Sequence, residues 1–487
     1  MRIIPIIFFF LGCASVERQT PLSSATMNRV LFQLRVGKES LASRQAQIAI
    51  TVPNSVKKFQ APIWYGNAPL FLKYVSDIKA VDSEGTTLST RIENNVVEVK
   101  PSKAPVYTLN YTYNVPQKIS GAVDLSIPVL NAQYGRFDNN LTFLAPEGLS
   151  DMPAKLTVSA PKNWKIATGW GMQNENLVPK VSQLISGMIA MGKYNFSSAQ
   201  VGETNVDFGI IGDFPHDIVK KQFIRVLESQ QNAVGPLASR YILVVLQPAV
   251  TDSCKGTSLT NALVVNIPPK TKLEPFNFQA IGTISHELFH QWNAHYITPA
   301  LEEGAYLFTE GFTNYFAVAA LVQAKLVPEK AFGRFLWKYR SMLESNPRYP
   351  GADYAAIQAG LSKDEKLLDL AYTKGPFVAV LLDLALREDT GGKESLPTWF
   401  QALGKQFGGT KGYLVQDLRE SVVKLTGKAE GKAAKVFDHA FLGGEKLDLD
   451  TLFSDLGIKC SKTGECSLSK LSPEKKILRS KSFSARN

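Results

Sequence analysis

His286-Glu287-Leu288-Phe289-His290 sets two imidazoles four residues apart, with a carboxylate directly after the first. On a helix, positions i and i+4 lie on one face a turn apart, so the two rings converge on a common point. Two neutral imidazoles at that spacing suit Zn²⁺, which needs at least one further protein ligand and an open position for water. Glu287, one step round the helix, is placed to take a proton from that water. The chain holds five histidines, and those at 286, 290 and 295 fall within one short stretch. The pattern calls for a search for the remainder of a site.

A third ligand has to come from a carboxylate or another histidine. His295 is near in sequence, but five residues past His290 it points off the ligand face. A downstream HxxGxxH continuation is absent, since the chain reads HQWNAHYITP. The next helical stretch, FTEGFTNYFAVAALV, offers Glu310. Glu302 and Glu303 compete for the role, but they sit in the polar connection LEEG, where solvent exposure is the default. Glu310 is therefore the favoured third ligand. Asn314, one turn later, is placed to hold His286 from behind; an ordinary surface asparagine is the other reading.

The elements that position these residues follow from hydrophobic periodicity. Ile281, Ile284, Leu288 and Trp292 recur at helical spacing, so the histidines lie on an amphipathic helix. Upstream, HDIVKKQFIRVLESQQNAV reads as another helix, and VDFGIIGDFP, RYILVVLQP and NALVVNIP read as strands. Helical periodicity then dominates to about residue 455. Residues from about 28 to 200 are different in kind. VLFQLRV, QIAITVP, VVEVKP, YTLNYTYNV and AKLTVSAP cluster β-branched and aromatic residues between turn signals, the pattern of a β-sandwich. At 487 residues the chain is too long for one core. The expected fold class is α+β. It comprises a leader and linker at 1–24, an N-terminal β-sandwich at 25–203, a catalytic domain at 204–457 with a helical C-terminal part, and a basic tail at 458–487.

The composition, 45% hydrophobic and 20% charged, is that of an ordinary globular protein. The formal charge of +11 is spread along the chain except in KLSPEKKILRSKSFSARN at 470–487. Nothing in that tail interleaves aromatics with basic residues in a recognisable nucleic-acid module, so nucleic acid is not an expected partner. The start, MRIIPIIFFFLGCAS, has Arg2 and then an apolar run too short to span a membrane. It reads as an export signal. Gly12 before Cys13 resembles a bacterial lipoprotein signal, in which Cys13 carries lipid and anchors the protein in the cell envelope. An ordinary secretory signal, giving a periplasmic or secreted protein, is the competing reading. Cys460 and Cys466 bracket a turn-rich CSKTGEC that can close a disulfide in an exported protein. Cys254 is left over as a buried thiol.

HELFHQWN, then FTEGFTNYF, then AYTKGPFVAVLLDLALRE resemble the glycyl aminopeptidase family of gluzincin metallopeptidases. NWKIATGW and FDHAFLGGEKLDLDTLFSDLGI extend the resemblance to most of residues 30–457. It implies a thermolysin-like catalytic domain with zinc on His286, His290 and Glu310, Glu287 as general base, and a peptide or protein substrate. It further implies that the Tyr372 phenol donates to the oxyanion of the tetrahedral intermediate. The chain departs from the family at the edge strand before the zinc helix. A glutamate is usual there, but CKGTSLTNALVVNI has none at Ser258, Leu259, Thr260 or Asn261. His295, Tyr296 and Thr298 replace basic residues usual after HxWN, and the PDZ domain that commonly follows is not apparent in 459–487. The expected activity is a zinc-dependent, aminopeptidase-like peptidase. The rival is a non-catalytic envelope lipoprotein that keeps the fold as a binding scaffold. The oligomeric state is not legible.

Overall fold

Alternation along the first strand sets up the N-terminal half. In β1 (Val30–Arg35) the side chains of Val30, Phe32 and Leu34 are buried, with more exposed residues between them. The computed structural model describes residues 27–61, 70–116, 128–213, 215–249, 252–268, 278–300, 305–360, 364–409 and 412–469. β1 pairs antiparallel with β2 (Gln45–Pro53), which pairs antiparallel with β3 (Val106–Asn114). On its other edge β1 runs parallel to β4 (Ala154–Ser159). These strands form the middle of a seven-stranded sheet. Two further sheets of four strands each contribute Phe59 and Val97, and Phe137 and Ile189, to the same apolar interior. The expected sandwich is thus three sheets closed on one core. Strand periodicity reports which face is buried and leaves open how many sheets share the interior.

A separate five-stranded sheet begins at Asn195, upstream of the change in pattern near 204. β5 (Asn195–Val201) pairs antiparallel with β6 (Thr204–Ile210). A crossover helix, α1 (His216–Val234), leads to β7 (Tyr241–Pro248), parallel to β6. β9 (Ala262–Ile267) continues the parallel set, and β8 (Lys255–Leu259) pairs antiparallel with it at the edge. Residues 242–247 of β7 are buried without alternation, as in a sheet covered on both faces. Helices cover one face. The other packs Leu243, Val245 and Val264 against Ala167, Met188 and Ala190 of the N-terminal half. The two halves therefore share an apolar seam.

The helical part carries the candidate residues. α2 (Phe278–Phe289) buries Ile281, Ile284 and Leu288, and Gln230 of α1 donates to its Ser285 carbonyl at 2.8 Å. α3 (Gly311–Gln323) is buried nearly all round, from Gly311 to Val322. α4 (Lys330–Glu344) follows, and then α5 (Glu365–Asp389), which passes α3 at unusually close range. A Cβ added at Gly311 would lie 2.4 Å from the Gly375 Cα, and one at Gly375 would lie 2.4 Å from the Gly311 Cα. Only glycine at both positions lets the two backbones meet. That contact brings α5, with Tyr372, beside the start of α3.

Cys460 and Cys466 form a disulfide closing a hairpin of Ile458–Cys460 and Cys466–Leu468. Ile458 and Cys466 pack against Gly333 of α4. Among the described residues, no helix is long and apolar enough to cross a membrane. The leader with Cys13, the connection with Glu302 and Glu303, and the tail from residue 470 lie outside the described residues.

The α3–α5 contact yields a stability prediction. Gly375→Ala forces a methyl group against the Gly311 backbone and should cost about 1–3 kcal/mol, as overpacking of a close-packed interior does. Urea denaturation measures the difference; an unchanged midpoint and slope would refute the contact.

Candidate metal centre and active-site cleft

α2 ends one residue short of its second histidine. The regular helix stops at Phe289, and His290 opens the following turn with its N–H still bonded to the His286 carbonyl at 3.3 Å. Both rings stay on one face despite the early end. The chain is then fixed by Asn293, whose side-chain amide donates to the Phe308 and Thr309 carbonyls at 3.0 and 3.3 Å and to Thr313 Oγ1 at 3.1 Å. Those acceptors flank Glu310, which lies between the short helix Tyr306–Thr309 and α3. One buried amide thus registers the histidine segment against the glutamate segment.

Three donor atoms meet at the centre. His286 Nε2 lies 3.0 Å from His290 Nε2, and Glu310 Oε2 lies 3.1 and 3.4 Å from the two rings. His286, His290 and Glu310 form the group of metal-capable side chains among the described residues, with ligand atoms within 4.8 Å of one another. The protonation of each ring is set from behind. His286 Nδ1 faces Asn314 Oδ1 at 2.9 Å, and Asn314 Nδ2 donates to the Tyr372 carbonyl at 3.3 Å, which fixes the amide's orientation. His290 Nδ1 faces the Asn293 carbonyl at 2.9 Å. Both Nδ1 atoms must carry the hydrogen, so both Nε2 lone pairs point inward with the carboxylate. Three converging lone pairs repel unless a cation lies among them. A proton is the minimal cation: burial opposes charge on His290, yet Glu310 overcomes it and pulls the ring up to about 9. Burial likewise opposes the Glu310 charge, and the His290 and His286 rings hold that carboxyl well below its usual range. A divalent metal with a preference for nitrogen and oxygen donors fits the same point.

Glu287 lies beside this centre without joining it. It is 7% exposed, and burial raises its carboxyl above the usual range, partly offset by His286 and His290. Its side chain is fitted against β8, where a Cβ on Gly256 would come within 2.3 Å of Glu287 Cγ. The Tyr372 ring is half-buried and stacks toward His286 with centroids 6.4 Å apart. His286, Glu287, His290, Glu310, Asn314 and Tyr372 all line one cleft of about 1170 Å³. His295 lines it too but stands outside the group of three; burial and the neighbouring His290 push its ring down to about 4, so it is neutral.

The edge strand β8 forms a wall of the cleft through Lys255, Gly256, Thr257 and Ser258. Of the four positions singled out in the sequence, Ser258 alone lines the cleft. Leu259 is buried, Thr260 pairs with Ser186 at 2.6 Å, and Asn261 sits in the turn with φ +55°. Gln291 holds the strand in place, donating to Ser258 Oγ at 2.8 Å and to the Leu259 and Ala262 carbonyls at 2.9 and 3.2 Å. Gln291 and Asn293 escaped the sequence reading. The available signal was two amide side chains just after HELFH in an otherwise apolar setting.

Known proteins share both halves of this architecture. The Peptidase M61 N-terminal domain profile matches residues 33–182, and the M61 glycyl aminopeptidase profile matches residues 279–364. No curated protein matches the sequence. Among solved structures, an aminopeptidase N family protein from Idiomarina loihiensis is similar with TM-score 0.76 and 20% identity, over 89% of this chain and 79% of that one. The M1 zinc metallopeptidase of Deinococcus radiodurans is similar with TM-score 0.57 and 16% identity, over 87% of this chain and 94% of that one. Yeast LTA4 hydrolase in complex with bestatin gives TM-score 0.58 and 14% identity, over 88% and 70% of the two chains. The fold class read from the sequence, α+β with a zinc-peptidase catalytic part, is the fold of these neighbours.

Asn314 generates the prediction for the centre. Asn314→Ala removes the acceptor that fixes the His286 ring and should weaken metal affinity about 10- to 100-fold with the ligands intact. Competition with a chromophoric chelator measures it. Affinity equal to wild type would show that the ring is oriented by packing alone.

Proposed function

We propose that this chain, matched by the M61 family over residues 33–182 and 279–364, is a zinc metallopeptidase that hydrolyses peptide bonds with zinc held by His286, His290 and Glu310. The observation that carries this reading is the convergence of three lone pairs on one point, with an unspent carboxylate, Glu287, beside it. Zinc at that point supplies a Lewis acid that lowers the pKa of a water and polarises the scissile carbonyl.

The chain's own groups do the rest. Glu287 accepts a proton from the attacking water and returns it to the leaving amine. Its raised affinity for protons suits a carboxylate that must first take a proton and then release it. The Tyr372 phenol, on the same cleft wall as His286, donates to the oxygen on which negative charge develops. Asn314 and Asn293 hold the two imidazoles in the tautomer that presents Nε2. A point mutant of the Deinococcus radiodurans enzyme has been solved bound to a Tyr-Ser-Ala substrate, which supports a small peptide as the kind of molecule this cleft accepts.

Where the peptide is cut depends on its amino terminus. Burying an α-ammonium is costly unless a carboxylate meets it. β8 offers Ser258 at the cleft wall and no carboxylate between Lys255 and Leu259. Strict aminopeptidase action is therefore weak, or the specificity extends to peptides that continue past the amino-terminal side of the cut.

Two experiments test this reading. Glu287→Gln should retain stoichiometric zinc and lose about 10²- to 10⁴-fold in kcat. Tyr372→Phe should lower kcat by about 10²-fold with KM nearly unchanged, because its bond strengthens only as the oxyanion forms. Protein that carries no zinc when prepared without chelator, or a Glu287→Gln enzyme of full activity, would overturn the function. A matched pair of peptides, one with a free and one with an acetylated amino terminus, tests the specificity. Both should be cleaved; removal of only the first residue of the free peptide would show that an ammonium site exists.

A further inference from the structure

The far wall of the cleft is cationic, and the metal chemistry does not use it. Lys330, Arg334 and Lys338 recur every four residues along α4, and all three are exposed and line the cleft. Positions i, i+4 and i+8 share one helix face at roughly 6 Å intervals, so the row is about 12 Å long. Lys255, on β8, adds a fourth cation to the lining. The carboxylates among the cleft-lining residues are Glu287 and Glu310, the second in the metal-capable group and the first beside it.

The contrast with the rest of α4 is informative. Arg340, two residues past the row, is paired with Glu344 at 3.0 Å and with Asp450 at 2.7 Å. No such carboxylate pairs with Lys330, Arg334 or Lys338 among the described residues. Like charges one turn apart on a helix repel. A surface that keeps three of them in line, facing an open cleft, is complementary to an anion.

The lining also connects the row to the site. His286, Thr283 and Gln279 of α2, Val318 of α3, and Ala331 and Phe335 of α4 line the same cleft. Gln279 lies seven residues before His286, roughly 10 Å along the helix. An extended peptide advances about 3.3 Å per residue, so a cleft shared by the metal centre and the row takes up several residues of it.

Resting on the peptidase reading above, we infer that Lys330, Arg334 and Lys338 form a carboxylate-binding subsite that selects acidic peptides. The carboxylate belongs either to an Asp or Glu side chain or to the substrate's C-terminus. The phenol of Tyr339 and the ring of Phe335, 4.3 Å apart between centroids, give the subsite an apolar floor on which the stem of an acidic side chain packs.

The test uses the full-length zinc-loaded protein and one neutral, C-terminally amidated peptide that it cleaves. In one series Glu replaces Gln at each position two to four residues either side of the cut. In the other the C-terminal amide becomes a free carboxylate. At low salt at least one acidic peptide should show kcat/KM about tenfold above its neutral parent, and raising the salt to 0.5 M should erase most of that gain. The enzyme carrying Lys330→Gln, Arg334→Gln and Lys338→Gln should lose the gain while cleaving the neutral parent as wild type does. A gain confined to the Glu series assigns the subsite to side chains, and one confined to the free-acid series assigns it to the chain end. No acidic preference in wild type, or a preference that survives the triple substitution, overturns the inference. Fluorescence anisotropy of the same labelled peptides on Glu287→Gln protein reads the preference as binding. Failure of turnover therefore counts against the peptidase reading alone, and equal binding of acidic and neutral peptides counts against the subsite.

Discussion

Two imidazole lone pairs and a carboxylate are held pointing at one another, an arrangement that costs free energy until a cation enters it. Everything around the centre resists the relaxation that would relieve that repulsion. Asn314 and Asn293 hold both Nδ1 hydrogens outward, so neither neutral ring can relieve the repulsion by changing tautomer. Asn293 also ties the end of α2 to the residues flanking Glu310, so the carboxylate cannot withdraw without breaking buried hydrogen bonds. The metal affinity of such a site comes as much from this enforced convergence as from the ligand atoms themselves.

Much of the centre is legible in the sequence because its information is local. HELFH places two imidazoles on one face by helical spacing, Glu310 announces itself at the head of an apolar helix, and Asn314 follows one turn later. His290 lies just beyond the end of α2, yet the spacing argument survives because the next turn keeps the same backbone bond to His286. The supports are less legible because they are non-local. Nothing near Gly256 in sequence says that Glu287 will press against it, and nothing near Gly375 says that Gly311 will meet it. Gln291 looks like any polar residue until the edge strand folds beneath it. In the N-terminal half, alternation gives the strands and their buried faces, but the division into three sheets depends on pairings between distant segments.

Charge is distributed in the cleft with a division of labour. The two carboxylates are gathered at the metal end, where buried histidines stabilise or tune them. The cations stand on the far wall and on the edge strand, in contact with water. The metal end is mostly buried, and the cationic wall of α4 is exposed. The first needs exact placement of few groups, and the second tolerates variation in sequence.

The burial of α3 on nearly every side has a mechanical consequence. A helix that touches the core all round has no soft direction: it cannot slide, roll or unwind at its start without emptying apolar space that water would have to fill. Glu310 stands at the N-cap position of that helix, so the geometry of the metal centre is tied to an element packed on nearly every side. Local breathing, the low-energy opening that loosens loops and helix ends, has no purchase there. The centre and the core fail together, and the amide protons of α3 belong to the class that exchanges only when the whole domain opens.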